Sequence, residues 1–185
     1  MDNGTKNYLR FIDGDKDGMT EIIKEYKDGL ILYINSFTGN LHTAEELMED
    51  TFVKLVVKKP HFSARYSFKT WLYTIGRNTA LDYLRRSSKI RDLSFDELSR
   101  MADDRADIEN EYLRSERKII VHRALQRVKD DYRSVIYLSY FENFDNRQIA
   151  KIMKKSARQV ENLLYRSKQA LKKELEKEGF NYEEL

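Results

Sequence analysis

Side chains able to do chemistry are plentiful in this 185-residue sequence, but few of them converge. Carboxylates come as neighbours, Glu45 with Glu46 and Glu49 with Asp50. Acid–base catalysis needs two carboxyls aimed at one point, and adjacent residues of a helix do not face each other. His42, His61 and His122 are scattered, with no spacing that matches a metal-ligand set. The absence of cysteine excludes disulfide frameworks, cysteine–zinc sites and thiol nucleophiles. A glycine-rich phosphate loop and a Gly-x-Ser-x-Gly elbow are also missing. The expectation is therefore a protein that is not an enzyme and takes no metal and no cofactor.

The chemistry that the residues do support is recognition of nucleic acid. Between positions 62 and 89, Phe62, Tyr66, Phe68, Trp71 and Tyr73 are interleaved with Arg65, Lys69, Arg77, Arg85, Arg86 and Lys89. Aromatic faces stack on unpaired bases while cations hold the backbone, as single-strand binding requires. Phe68, Trp71 and Leu72 are expected in the core, leaving Tyr66 and Tyr73 as the exposed rings. Further on, Arg158, Glu161, Asn162, Tyr165, Arg166 and Lys168 spread over one stripe of a helix. Such a mixture suits a duplex groove, with cations for phosphates and planar polar groups for base edges. Glu161 has two open roles: accepting from a base donor, or pairing with Arg158 three residues earlier.

These side chains must be positioned by helices, because helical periodicity dominates. Ile22, Ile23, Tyr26, Leu30, Tyr33 and Ile34 mark one helix. Thr43 with Glu46 reads as a capping box for the next, which Pro60 ends. Ser67 can cap a third helix reaching Ser87. A second group begins with helices over 112–128 and 131–141. Asp145 with Gln148, and Ser156 with Gln159, then cap two helices in close succession. Only Lys154 and Lys155 precede the second cap, so the helices turn sharply, with Ile149, Ala150 and Met153 packing on Val160 and Leu164. That is a helix-turn-helix. A single proline leaves little turn chemistry for a many-stranded sheet.

Charge divides the chain in the same way. Residues 1–89 carry a net +2, residues 90–112 carry −5, residues 113–178 carry +8 and the last seven −2. A basic block behind an acidic strip is the asymmetry of a module that meets polyanions. The expected fold is all-α: two small helical domains, 1–89 and 113–178, joined by an acidic linker over 90–112 and followed by a tail over 179–185. One helical turn is expected in the linker around Phe95–Met101. No apolar run approaches the roughly 20 residues that span a bilayer, and no signal-peptide core is seen, so the chain is expected in the cytoplasm without membrane insertion.

Three stretches, in order, resemble the extracytoplasmic-function (ECF) type of alternative sigma factor. TAEELMEDTFV (43–53) is similar to that family's polymerase-binding helix. FSARYSFKTWLY (62–73) with IGRNTALDYLRR (75–86) is similar to its promoter-melting motif, and NRQIAKIM (146–153) with the helix behind it to its helix-turn-helix. The resemblance implies a partner in RNA polymerase core, held by Glu46, Leu47, Glu49, Asp50 and Phe52. It implies promoter DNA as a second partner. The minus-ten element would be held by Phe62, Arg65, Tyr66, Ser67, Lys69, Tyr73, Arg77 and Asn78. Asn78 and Asp82 fall on strongly patterned family positions, where DNA contact and helix bracing are both open roles. The minus-thirty-five element would be read by Arg158, Gln159, Glu161, Asn162, Tyr165, Arg166 and Lys168. Many relatives are held by an anti-sigma factor, often membrane-bound.

Two departures from the family stand out. Lys154 and Lys155 occupy a turn that usually holds Gly and an apolar residue, and Glu161-Asn162-Leu163 replaces a basic-small-basic run. Without the resemblance, a stand-alone DNA-binding regulator and a helical module that binds only protein fit the same features. Co-elution with core polymerase separates a sigma factor from a regulator that binds its operator alone, and absence of any DNA-dependent shift marks the protein-binding module.

Overall fold

The computed structural model describes residues 1–63, 65–91 and 116–179, and every regular element among them is helical. Ile90 and Arg91, expected to open the linker, are still helical; the rest of the linker expected over 90–112, with its turn at Phe95–Met101, and most of the tail lie outside the described residues.

The N-terminal unit has four helices. The first, α1 (Asn3–Ile12), was not anticipated; the Asp2 carboxylate caps it by accepting from the Thr5 amide at 2.8 Å. It buries Tyr8 and Phe11, and the Tyr8 hydroxyl donates to the Pro60 carbonyl at 2.8 Å. Helix α2 (Asp17–Thr38) is the expected apolar helix and stops at Gly39, whose φ of 62° is the left-handed geometry that glycine adopts freely. Helix α3 (Leu41–Lys58) begins before Thr43. Asn40 is the cap, accepting from the Thr43 amide at 2.9 Å, so the expected Thr43–Glu46 box lies inside the helix. Ser67 precedes α4 (Phe68–Arg91) as expected, its Oγ accepting from the Thr70 amide at 3.2 Å. At Gly76 a Cβ would stand 2.7 Å from Leu30 Cδ1, so glycine is what lets α4 lie close on α2.

The C-terminal unit contains α5 (Glu116–Arg127) and α6 (Asp130–Ile136), which continues as one wide π turn, Tyr137–Phe141. Helices α7 (Asn146–Met153) and α8 (Ala157–Lys177) follow. The capping boxes at Asp145–Gln148 and Ser156–Gln159 form as expected. Each joins side chain and backbone reciprocally, which fixes both helix starts.

The two units do not stand apart. α2 packs on α6, and α4 packs on α7. The Tyr33 hydroxyl lies 3.2 Å from the Ser134 hydroxyl, and the buried Arg133 donates to the Ser36 carbonyl at 2.7 Å. The same guanidinium donates to the Gln126 and Val128 carbonyls, tying the end of α5 to α6 and both to α2. Ile136, Leu138, Phe144 and Ile149 thereby share one apolar cluster with Leu30, Tyr33 and Tyr73.

Candidate nucleic-acid interface

Helix α3 presents a charged face to solvent. Glu46, Glu49 and Asp50 are exposed, with Glu46 3.5 Å from His42. Leu47 and Phe52, expected on that surface, are instead 6% and 5% exposed. They share the buried stripe Ala44–Leu47–Met48–Thr51–Phe52–Leu55, whose steps of three and four form one helix face. The apolar residues left in solvent are Val53, Val56 and Val57, the last 73% exposed. Helical phase counted from Ala44 is the signal that finds them.

The loop before α4 and the first turns of that helix carry the second set. Arg65 and Tyr66 are exposed, and Phe62, Ser67, Lys69 and Asn78 are half-buried. Phe62 is held in an aromatic cluster with Tyr8, Phe68 and Trp71, at centroid distances of 6.4, 5.9 and 5.1 Å. Tyr66 remains at the rim of a cavity of about 260 Å³ lined by His61, Ser63, Arg65, Thr70, Trp71, Thr74 and Lys151. Polar rims on an aromatic floor suit a single unstacked base. Ser63, Thr70 and Thr74 are not among the expected site residues because isolated small polar residues carry no periodic signal, and His61 is weighed only as a metal ligand.

Two expectations fail on this face. Tyr73, expected to be exposed, is 1% exposed; its ring meets Phe144 at 5.1 Å, and burial pushes its hydroxyl pKa far up. Arg77 is buried too, and its Nε has no hydrogen-bond partner. At Tyr73 the reason is α2, through Tyr33 at 5.4 Å, together with the second unit, which packs on α4. Lys69 donates to the Glu142 carbonyl at 2.9 Å and pairs with its carboxylate at 2.9 Å. The Gln148 amide reaches Ser67 Oγ at 3.5 Å.

The third set is α8. Arg158, Gln159, Glu161, Asn162, Tyr165, Arg166 and Lys168 are all exposed, Tyr165 at 68%. Val160, by contrast, is buried, with Leu163 and Leu164 packed beside it on the core that holds Ile149, Ile152 and Met153. The turn before the helix places Lys154 at φ 55°, left-handed, with its amide donating to the Ala150 and Lys151 carbonyls. Lysine thus takes, at this position, the left-handed geometry that glycine adopts freely. Gln159 spends its side-chain oxygen on the Ser156 amide at 2.7 Å, so only its NH₂ is left for DNA. Gln159, Asn162 and Arg166 line a cavity of about 250 Å³ with Tyr132, Lys155 and Leu163. Arg158 and Glu161 form no ion pair among the described residues.

A capped helix-turn-helix with a polar outer face, behind a helical unit that carries an aromatic–basic loop, defines a DNA-binding protein of two helical units. Residues 22–90 match the family model described as Sigma-70 region 2, and residues 118–171 match Sigma-70, region 4. RNA polymerase sigma factor YlaC of Bacillus subtilis (strain 168) is 29% identical over 163 residues, spanning 88% of this chain and 94% of that protein. The ECF RNA polymerase sigma factor SigW of the same organism is 26% identical over 170 residues, spanning 88% and 91%. Among solved structures, CnrH in complex with the cytosolic domain of CnrY shares the fold, with a TM-score of 0.69 at 18% identity, covering 95% of this chain and 98% of that one. The chain belongs to the sigma-70 family, in its ECF type. It is a sigma factor that binds RNA polymerase core and directs promoter-specific initiation.

Proposed function

We propose that the labour is divided among three faces of the chain. The charged face of α3, with Glu46, Glu49 and Asp50 and now Val53, Val56 and Val57 in place of Leu47 and Phe52, docks on core polymerase. The Phe62–Ser67 loop and the cavity beneath Tyr66 take a flipped base of the minus-ten element. The α8 face reads the minus-thirty-five element as duplex, with residues 1–89 and 113–178 acting as the two DNA-binding domains and 90–112 as their acidic tether. The observation that carries the reading is the α8 surface. Seven polar or aromatic side chains stand in solvent on a helix whose start is fixed by a capping box. Two weak DNA sites on one tether gain through effective concentration once polymerase holds both.

The chain performs no catalysis of its own on this reading and acts in the cytoplasm; no helix among the described residues is long and apolar enough to cross a membrane. An anti-sigma protein is a further partner, as NepR is for RpoE of Bartonella quintana in their co-crystal structure. The test is reconstitution with purified core polymerase and mapping of the start sites that result. Initiation at defined sites only with the chain present supports the reading. Duplex binding alone, with no co-elution with polymerase, would mean a stand-alone regulator.

A further inference from the structure

The strongest constraint on what α8 can recognise comes from its own N-terminus. Ser156 and Gln159 cap the helix reciprocally. The Ser156 hydroxyl accepts from the Gln159 amide at 3.2 Å, and the Gln159 side-chain oxygen accepts from the Ser156 amide at 2.7 Å. The second bond decides which way the carboxamide faces. A backbone N–H can bond only the oxygen, so the NH₂ end points away from the cap. Reversing the group would set one donor against another and leave the Ser156 amide unpaired. Gln159 is therefore held on its helix as a pure donor, whereas a free glutamine offers one donor end and one acceptor end.

A second copy of the motif shows what the outward end does. At the start of α7 the Asp145 amide donates to the Gln148 side-chain oxygen at 2.9 Å, and the Gln148 NH₂ reaches beyond its own helix to Ser67 Oγ at 3.5 Å. At α8 the corresponding NH₂ has no acceptor among the described residues. Gln159 is exposed and lines a cavity with Asn162 and Arg166. Steps of three and four residues place the three side chains on one stripe of the helix. Lys155 borders the same cavity, but its ammonium is paired with the Asp131 carboxylate at 3.0 Å. In helix-turn-helix proteins the N-terminal residues of the second helix contact base edges. Gln159 is the third residue of α8.

The four base edges of the major groove meet a donor-only group differently. Guanine presents two neighbouring acceptors, N7 and O6, and a single NH₂ carries two hydrogens. Adenine has N7, but its N6 amino group would set donor against donor. Cytosine presents only an amino group, and thymine one acceptor beside a methyl. A glutamine with both ends free pairs best with adenine, because it can donate and accept at once. We propose that Gln159 reads guanine: its capped carboxamide donates to N7 and O6 of one guanine of the upstream element. By holding the oxygen, the cap removes the adenine mode that glutamine otherwise favours. The proposal rests on reading α8 as the duplex-facing helix, and adds which base its first turn selects.

Glutamate at the third helical position also completes a capping box. Gln159→Glu therefore keeps an oxygen on the Ser156 amide and replaces only the donor, so helicity and denaturant midpoint should stay close to the parent's. Holoenzymes carrying the parent chain or Gln159→Glu are each put through a binding selection on promoter duplex randomised in the upstream element. The parent should favour guanine at one position by roughly tenfold. The variant should lose that preference and keep the others. Because relative preference is read, general weakening by the added charge does not enter.

Promoter carrying 7-deazaguanine at that position, with C–H in place of N7, then tests the contact itself. Binding should fall severalfold with the parent chain and stay unchanged with Gln159→Glu. This arm can refute the proposal on the parent chain alone, whatever the stability of the variant. The same guanine preference in both proteins, a parent preference for adenine that the variant loses, or full binding of 7-deazaguanine by the parent would each overturn it. If the other upstream preferences persist in those cases, α8 remains the duplex reader and Gln159 is a cap only. A parent with no preference anywhere in the upstream element removes the reading of α8 together with the proposal.

Discussion

The Lys151 ammonium lies 5.0 Å from the centre of the Tyr66 ring, although the two residues belong to different helical units. A cation over an aromatic face is worth about 0.5–1 kcal/mol at an exposed site, so it can be displaced by a base that stacks on the same ring. Tyr66→Ala in the holoenzyme should lose about 1–3 kcal/mol of strand affinity. Permanganate reactivity of the promoter bubble should fall accordingly, while duplex binding by the closed complex stays nearly unchanged. Equal losses in both assays would assign the bubble to another part of the chain.

Helix α3 separates core from contact by phase alone. Glu49→Lys with Asp50→Lys should weaken co-elution with core polymerase strongly, while changing stability by no more than about 0.5 kcal/mol per exposed site. Leu47→Ala and Phe52→Ala should do the reverse. Each truncates a buried side chain, and losses of about 2–5 kcal/mol in urea unfolding are expected. Lost polymerase binding by Leu47→Ala at unchanged stability would return Leu47 to the surface set.

Local signals carried most of this reading and long-range ones carried none of it. The boxes at Asp145–Gln148 and Ser156–Gln159 lie within four residues each, so the helix-turn-helix could be placed to the residue. Helix α1 went unseen because its buried face holds few large apolar residues, Tyr8 and Phe11, in ten positions. Thr43 looked like a cap because Asn40, the residue that does cap, lies three positions before it in a stretch with several polar residues. Tyr73 stands beside Thr74 and carries a polar hydroxyl, and Arg77 carries a charge, so both read as exposed. What buries Tyr73 is Tyr33, forty residues before it, and Phe144 and Glu142, about seventy residues on, and no local period reports such contacts.

The turn before α8 makes a prediction about stability. Lys154 holds φ at 55°, a conformation that costs a side chain with a Cβ about 1–2 kcal/mol. Glycine has no such cost, although it loses more freedom on folding. Lys154→Gly should therefore stabilise the chain by roughly 1 kcal/mol, and Lys154→Ala should change little, since alanine keeps the same clash. Denaturant midpoints at an unchanged slope measure both. A destabilised glycine variant would show that the lysine side chain contributes more than its backbone geometry costs.

Base readout by α8 rests on how Glu161 and Asn162 are left by the fold. The two are exposed neighbours, and Glu161 does not spend its charge on Arg158. A carboxylate facing a groove is repelled by phosphates, so it is tolerated there when it accepts from a base donor, and cytosine N4 is the usual one. Asparagine pairs best with adenine, and Asn162 shares its cavity with Arg166, a cation suited to the adjacent backbone. Asn162→Ala should relax discrimination by about 1–3 kcal/mol at one adenine of the upstream element. Arg166→Ala and Lys168→Ala should instead weaken binding across all sequences and flatten the log–log salt slope by about one unit for each phosphate no longer neutralised. A binding selection on randomised duplex, run with holoenzyme carrying the parent chain or Glu161→Gln, tests the glutamate. Loss of preference at a single cytosine is the expected result, because glutamine can offer an amide hydrogen where the carboxylate only accepts. Identical preferred sequences from the two would mean that Glu161 reads nothing, and that the upstream preference is set by Asn162 and its cationic neighbours.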